Sequence, residues 1–232
     1  MTHGSFAAPK PEPLPAAARA ALFDLDGTLI ATEHRSRAAW TRLFEAHGLV
    51  VDDALLATFV GRRGQEALGD HVHRFPGSTV EELFDEAVGY LNGPDMPPPY
   101  AVPGAGALVK RLYADGVPMA VVTSGLREHA GALLDLVGGA HLFAAMITAE
   151  DVSRGKPHPE GYLAGCAALG VEPGQAVAFE DAPAGVAAAR AAGLACVGIT
   201  TTHTGAELRA ADLVVPDLTA VDWPPFPVDA TA

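Results

Sequence analysis

The stretch Ala21-Leu22-Phe23-Asp24-Leu25-Asp26-Gly27-Thr28-Leu29 changes character after its third residue. Three apolar residues give way to two aspartates separated by one leucine, then to a glycine and a threonine. A short apolar run with no polar alternation is the pattern of a strand buried on both faces, as in a parallel sheet. The polar turn that follows would stand at the strand's carboxyl end, where open parallel sheets place their ligand sites. Alone, Asp-x-Asp-Gly-Thr reads equally well as polar punctuation. Its meaning depends on what the other strand ends carry.

Working outward, similar apolar runs recur at 119–122, 145–147, 176–179, 195–199 and 213–215. Helical patterns occupy the intervals, at about 104–114, 126–137, 158–169, 182–192 and 205–211. Gly116, Gly138, Gly170 and Gly193 sit where helix C-terminal caps belong. Strand–helix alternation predicts an α/β fold, a Rossmann-like parallel sheet covered on both sides. One interval breaks the rhythm. Residues 33–100 show four helical patterns, at roughly 34–47, 52–60, 64–74 and 79–92, and then a proline-rich return. This is expected to be an α-helical cap inserted into a core made of 19–32 and 101–222. Residues 1–18 and 223–232 read as tails, with Trp223 and Phe226 able to dock on the body.

The 232 residues carry 28 acidic side chains against 15 lysines and arginines, a net charge of −13. So acidic a chain offers no basic face for nucleic acid. It also does nothing to attract an anionic substrate, so a local positive site would have to do so against the global field. No run reaches the roughly 18 apolar residues that a membrane span needs. The N-terminus lacks the basic start and apolar stretch of an export signal, so a cytoplasmic location is expected. Cys166 and Cys196, both in small apolar surroundings, read as free buried thiols.

Four strand ends carry chemistry. Asp24 and Asp26 follow the first run, Thr123-Ser124-Gly125 the second, Lys156 the third, and Glu180-Asp181 the fourth. Three or four carboxylates, a hydroxyl and an ammonium thus converge on one sheet edge. A carboxylate at Asp24 can attack phosphorus and split a hydrolysis into two easier steps. Two anions that must meet need a cation between them. Mg²⁺ prefers oxygen and suits Asp24, Asp181 and the region of Asp26, with Glu180 either a further ligand or the holder of a bound water. Thr123, with backbone N–H groups around Ser124 and Gly125, offers donors to phosphoryl oxygens. Lys156 adds a fixed positive charge. Asp26, two residues from Asp24, is placed to act as acid and then base, given a lid that excludes water.

These residues, in this order, resemble the four signatures of the haloacid dehalogenase superfamily, and the resemblance covers about residues 20–220. The stretches Val121-Val122-Thr123-Ser124-Gly125, Gly155-Lys156-Pro157-His158-Pro159 and Phe179-Glu180-Asp181-Ala182-Pro183 are similar to sugar- and polyol-phosphate phosphatases of its β-phosphoglucomutase-like branch. The resemblance implies a mobile cap, an aspartyl-phosphate on Asp24, Asp26 as acid/base, and Thr123 and Lys156 as phosphate binders. It implies Mg²⁺ on Asp24, the Asp26 carbonyl and Asp181, a small phosphorylated metabolite as substrate, and a monomer or weak dimer. Dehalogenases lack a carboxylate at the Asp26 position, and the mutase carries a histidine where this chain has Ser36. A phosphosugar mutase and, more remotely, a receiver-like phosphoacceptor are the competing readings. On the cap, Gly61-Arg62-Arg63 resembles the specificity loop, with Arg63 expected to reach substrate; Glu33, His34 and Trp40 are lesser candidates.

Overall fold

The computed structural model describes residues 18–60 and 62–226. Along them run the strands β1 (Ala20–Phe23), β2 (Ile30–Ala31), β3 (Tyr100–Ala101), β4 (Met119–Val122), β5 (Ala145–Ile147), β6 (Ala176–Glu180), β7 (Ala195–Ile199) and β8 (Leu213–Val215). Six of them form one sheet in the order β5-β4-β1-β6-β7-β8, with every pairing parallel. The six apolar runs fall on these strands, β1 gaining Ala20 and β6 gaining Glu180. The fold is α/β, a Rossmann-like core with an inserted helical cap.

Topology and register decide where the chemistry collects. The first strand lies in the middle, between β4 and β6, so the chain winds to one side and then the other. Ligands bind at such a switch point, beyond the strands' carboxyl ends. Phe23 aligns with Val121 on one neighbour and with Phe179 on the other. The residues that follow each strand therefore emerge side by side.

The period-2 alternation of a strand divides the core between the two faces of the sheet. Ala21 and Phe23 point into one cluster with Val121 and Phe179, where the Phe23 and Phe179 rings stack at 4.6 Å. Helices α5 (Ala105–Ala114) and α6 (Arg127–Leu134) cover that face. Ala20 and Leu22 point the other way, against Tyr162 and Cys166 of α7 (Glu160–Leu169) and the alanines of α8 (Pro183–Ala192). Both cysteines are buried and free. Gly170 and Gly193 cap α7 and α8 in the left-handed conformation. Phe226 is buried and Trp223 packs against the core, so the C-terminal aromatic pair docks as expected.

The cap consists of α1 (Glu33–Ala46), α2 (Asp53–Ala57), α3 (Gly64–Gly69) and α4 (Val80–Leu91). It has its own core of Leu43, Phe44, Leu55, Phe59, Leu68, Phe75 and Leu83. A reciprocal Thr79–Glu82 capping box starts α4. The chain enters through β2 and leaves through β3, and these two form an antiparallel ribbon. That ribbon was not expected from sequence, because two-residue strands carry no periodicity.

One expected helix does not form. Residues 205–210 are turns. Thr204 and Glu207 cap each other as at a helix start, but Asp212 exchanges hydrogen bonds with the Cys196 backbone and pairs with Arg190. Pinned to β7 at that point, the chain must enter β8 before a second turn can close. The expected helices at 126–137 and 64–74 are similarly shorter, each ending in a 3₁₀ turn, at Asp135–Val137 and Val72–Arg74.

Candidate active site

Asp24 follows β1 directly and is buried. Lys156, also buried, donates from Nζ to Asp24 Oδ1 at 2.5 Å and lies 2.6 Å from Glu180 Oε1. The Tyr162 hydroxyl donates to that same Glu180 oxygen at 2.5 Å. Asp181 accepts from Thr28 Oγ1 at 3.2 Å and from the Thr202 hydroxyl. Asp24, Glu180 and Asp181 each present an oxygen within 4.8 Å of the others. Distant segments thus bring three carboxylates and one ammonium together.

Two glycines make this approach possible. Gly27 has φ 91°, and a Cβ there would stand 2.1 Å from Asp181 Oδ2. A Cβ on Gly185, in the small-residue helix α8, would stand 2.0 Å from the Glu180 carboxyl. Substituting Gly185→Ala is expected to cost about 1–3 kcal/mol or more, since the obstacle is a buried, doubly bonded carboxylate. Chemical denaturation would measure it, and an unchanged midpoint would remove the close approach from the account.

Three carboxylates and one ammonium leave an excess of negative charge. Burial pushes the Asp24 pKa well above the usual carboxylate value; Lys156 opposes, and Glu180 and Asp181 push it further up. Burial, with Glu180 beside it, raises Asp181 to about 7. Burial works against the Lys156 ammonium, but Asp24 and Glu180 outweigh it and hold its pKa above the ordinary value. Among the described residues, Asp24 Oδ2 is buried and has no hydrogen-bond partner. An all-oxygen donor set, an orphaned carboxylate oxygen and uncompensated negative charge together suit a hard divalent cation.

Across the sheet edge, Thr123 follows β4, and the Gly125 N–H donates to its Oγ1 at 2.9 Å. Thr32 donates to Asp26 Oδ1 at 2.7 Å. Asp24, Asp26, Thr123, Ser124, Gly125 and Asp181 form the floor of a cavity of ≈ 620 Å³ roofed by the cap. Lys156 lies outside it, behind Asp24, on a smaller pocket shared with Thr123 and Tyr162.

The cap side departs from the simplest expectation. Arg63 lines the cavity, yet its Nη2 donates to the Ala149 and Val152 carbonyls at 2.9 and 2.8 Å, and Nη1 lies 3.5 Å from Glu66. It ties α3 to the core loop after β5. Arg62 is paired with Asp70 at 3.0 Å, and Gly61 lies outside the described residues. His34 stacks on Tyr100 of the ribbon. Trp40 both packs on Phe59 and lines the cavity. Burial, with Asp26 adding to it against Arg37, raises Glu33 to about 7.

Sequence reading missed Tyr162, Thr32 and Thr202. For Thr202 a signal was present: Thr200-Thr201-Thr202-His203 follows β7 as the other polar groups follow theirs. Thr201 donates to the Gly27 carbonyl at 2.5 Å, so this loop braces the Asp26–Gly27 turn. Tyr162 gave none, being one aromatic among apolar helix residues.

A family model described as haloacid dehalogenase-like hydrolase matches residues 18–193. Validoxylamine A 7′-phosphate phosphatase of Streptomyces hygroscopicus subsp. limoneus is 52% identical over 206 residues, covering 89% of this chain and 97% of the relative. Hexitol phosphatase A of Escherichia coli is 34% identical over 199 residues, covering 85% and 90%. Among solved structures, β-phosphoglucomutase from Clostridium difficile superposes with a TM-score of 0.75 at 23% identity, covering 89% of this chain and 94% of that one, a likeness of fold. The family match spans the sheet edge from Asp24 to Asp181 together with the cap, and the chain belongs to the haloacid dehalogenase-like hydrolases.

Proposed function

We propose that this chain is a Mg²⁺-dependent phosphatase that hydrolyses a sugar or polyol phosphate monoester through an aspartyl-phosphate on Asp24. The observation that carries the reading is the carboxylate of Asp24, buried, held at one oxygen by Lys156 and without a partner at the other among the described residues, at the floor of a cavity. The chain is a phosphoric monoester hydrolase in keeping with its curated relatives, which include phosphatases named for hexitols, glycerol 1-phosphate and 2-deoxyglucose 6-phosphate.

Asp24, Glu180 and Asp181 would hold the Mg²⁺, with the Asp26 carbonyl completing the set. The ion supplies charge neutralisation between the attacking carboxylate and the phosphoryl group. The chain's own residues do the rest. Lys156 fixes the Asp24 carboxylate, and Tyr162 fixes the Glu180 that holds Lys156. Thr123 and the backbone around Ser124 orient the phosphoryl oxygens.

Asp24 forms a bond to phosphorus as the ester P–O bond breaks, and the departing oxygen takes a proton from Asp26. Asp26, now a carboxylate steadied by Thr32, removes a proton from water, which attacks the acyl phosphate. Inorganic phosphate leaves and both aspartates are regenerated. Ser36 lines the cavity at the position where the mutase carries its histidine, so water is the acceptor.

A panel of sugar, polyol and nucleotide monophosphates, assayed for phosphate release with Mg²⁺ and with chelator, tests the reading. Release confined to sugar and polyol esters and lost in chelator is expected; release undiminished in chelator would refute it. Arg63→Ala removes the tie between α3 and the loop at 149–152. It is expected to lower kcat/KM by about 10²-fold, the scale on which misplaced groups are felt, with thermal stability little changed. Steady-state kinetics beside a melting curve would check this, and wild-type kinetics in the variant would dismiss the tie.

A further inference from the structure

The loop after β7 carries four polar residues in a row, Thr200-Thr201-Thr202-His203, and the phosphoryl-transfer steps use none of them. Register decides what this loop touches. Glu180 of β6 lies opposite Gly198 of β7, so the residues leaving β7 pass beside Asp181. The Thr200 N–H donates to the Val215 carbonyl of β8 at 3.0 Å and roots the loop at the sheet. Thr201 then reaches the Gly27 carbonyl, and half-buried Thr202 reaches Asp181.

The three carboxylates of the site are not held alike. Asp24 and Glu180 share the Lys156 ammonium, and Glu180 takes the Tyr162 hydroxyl as well. Among the described residues, Asp181 takes its side-chain hydrogen bonds from two hydroxyls, Thr28 at Oδ1 and Thr202 at Oδ2. They belong to different loops and grip opposite ends of one carboxylate. It cannot swivel about its Cβ–Cγ bond without breaking one of them. The Thr202 oxygen also lies 3.0 Å from the Asp181 backbone carbonyl. His203 Nδ1 lies 3.0 Å from that carbonyl and 2.9 Å from the Thr202 oxygen. A hydroxyl has one hydrogen, an ionised carboxylate only accepts, and the bond to the charged acceptor is the stronger. The Thr202 hydrogen therefore goes to Oδ2, and a hydrogen on His203 Nδ1 serves the carbonyl and the Thr202 oxygen. Donation runs one way, from imidazole to hydroxyl to carboxylate.

Mg²⁺ demands near-ideal octahedral geometry and gives up its waters reluctantly, so a ligand already fixed costs less to engage than one that must first be ordered. We infer that Thr202 is a positioning residue for the cation. Its hydroxyl holds Asp181 in the orientation that binds a divalent ion, and His203 fixes the hydroxyl in turn. The inference rests on the reading of Asp24, Glu180 and Asp181 as Mg²⁺ ligands, and deepens it. Thr202 acts through Asp181, so its effect falls on Mg²⁺ affinity and is recovered when Mg²⁺ saturates.

Two matched pairs isolate the hydroxyl. Wild type is set against Thr202→Val, and Thr202→Ser against Thr202→Ala. Mg²⁺ alone is titrated by calorimetry into full-length protein stripped of metal, and a melting curve in chelator checks the fold. The member of each pair that lacks the hydroxyl is expected to bind Mg²⁺ about tenfold more weakly or worse, the scale on which such supporting groups are felt. Thr202→Ser should stay near wild type, and the kcat of Thr202→Val on p-nitrophenyl phosphate should return to near wild type at saturating Mg²⁺. Equal affinities within both pairs would overturn the inference and leave the Mg²⁺ reading intact. Weakening in Thr202→Ser as large as in Thr202→Ala would do the same, by assigning the effect to the methyl group that lies against Gly27. A kcat that stays depressed at saturating Mg²⁺ would also overturn it. Should Thr202→Val not fold, the serine and alanine pair decides. Wild-type protein that takes up no Mg²⁺ would overturn both readings.

Discussion

Replacing Asp24 with asparagine is expected to lower kcat by about 10⁴-fold or more, the scale seen when a nucleophile is removed, without unfolding the protein. Asparagine has almost the same shape but cannot form the acyl phosphate. The stability side of the expectation follows from electrostatics. The Asp24 carboxylate is buried and stands against two others, so its ionised form is disfavoured despite Lys156. Removing that charge leaves Lys156 paired with Glu180 and Glu180 bonded to Tyr162, so no buried ammonium is orphaned. Metal-free Asp24→Asn should therefore melt at or above the wild-type temperature. Residual turnover within tenfold of wild type would eliminate Asp24 as nucleophile. Collapse of the fold would instead show that the Asp24–Lys156 pair is structural.

The second large effect is the dependence of stability on Mg²⁺ and pH. Asp181 titrates near 7 in the folded metal-free protein, above its ordinary value near 4, because burial and Glu180 disfavour its charge. A carboxylic acid whose folded pKa is raised binds more protons folded than unfolded. Its contribution to stability is therefore greatest below the unfolded pKa and declines as pH rises from about 4 to about 7. Asp24 acts in the same direction. Lys156, raised above its own ordinary value, keeps its contribution constant across that window. The metal-free protein should thus lose stability as pH rises from about 4 to about 7, and Mg²⁺ should restore it by neutralising the charges that ionise. A rise in Tm of about 5 °C or more at pH 8 is expected, and a smaller one at pH 5. Calorimetry with and without chelator would decide it. A Tm indifferent to Mg²⁺ at both pH values would mean that the three carboxylates hold no cation.

The central sheet was legible because burial on both faces leaves an unmistakable trace, a strand with no polar alternation. Placement of Asp24, Thr123, Lys156 and Glu180-Asp181 at one edge followed from a rule about strand ends that needs no coordinates. What escaped reading has physical reasons of its own. Tyr162 serves the site from within α7 and matches its apolar neighbours in every respect except one hydroxyl. The helix expected at 205–211 was overruled by Asp212, whose long-range bonds to β7 leave no local signal. Arg63 was legible as a cap arginine facing the cavity, but not as the partner of two carbonyls nearly ninety positions away. Local pattern finds elements and strand ends; it is silent on which side chain crosses between them.

The ribbon of β2 and β3 has a bearing on how such proteins diversify. Everything between Ala31 and Tyr100 leaves and re-enters the sheet-bearing body through two paired neighbouring points. A loop anchored in this way can be lengthened, exchanged or rewritten over generations while the six parallel strands keep their alignment.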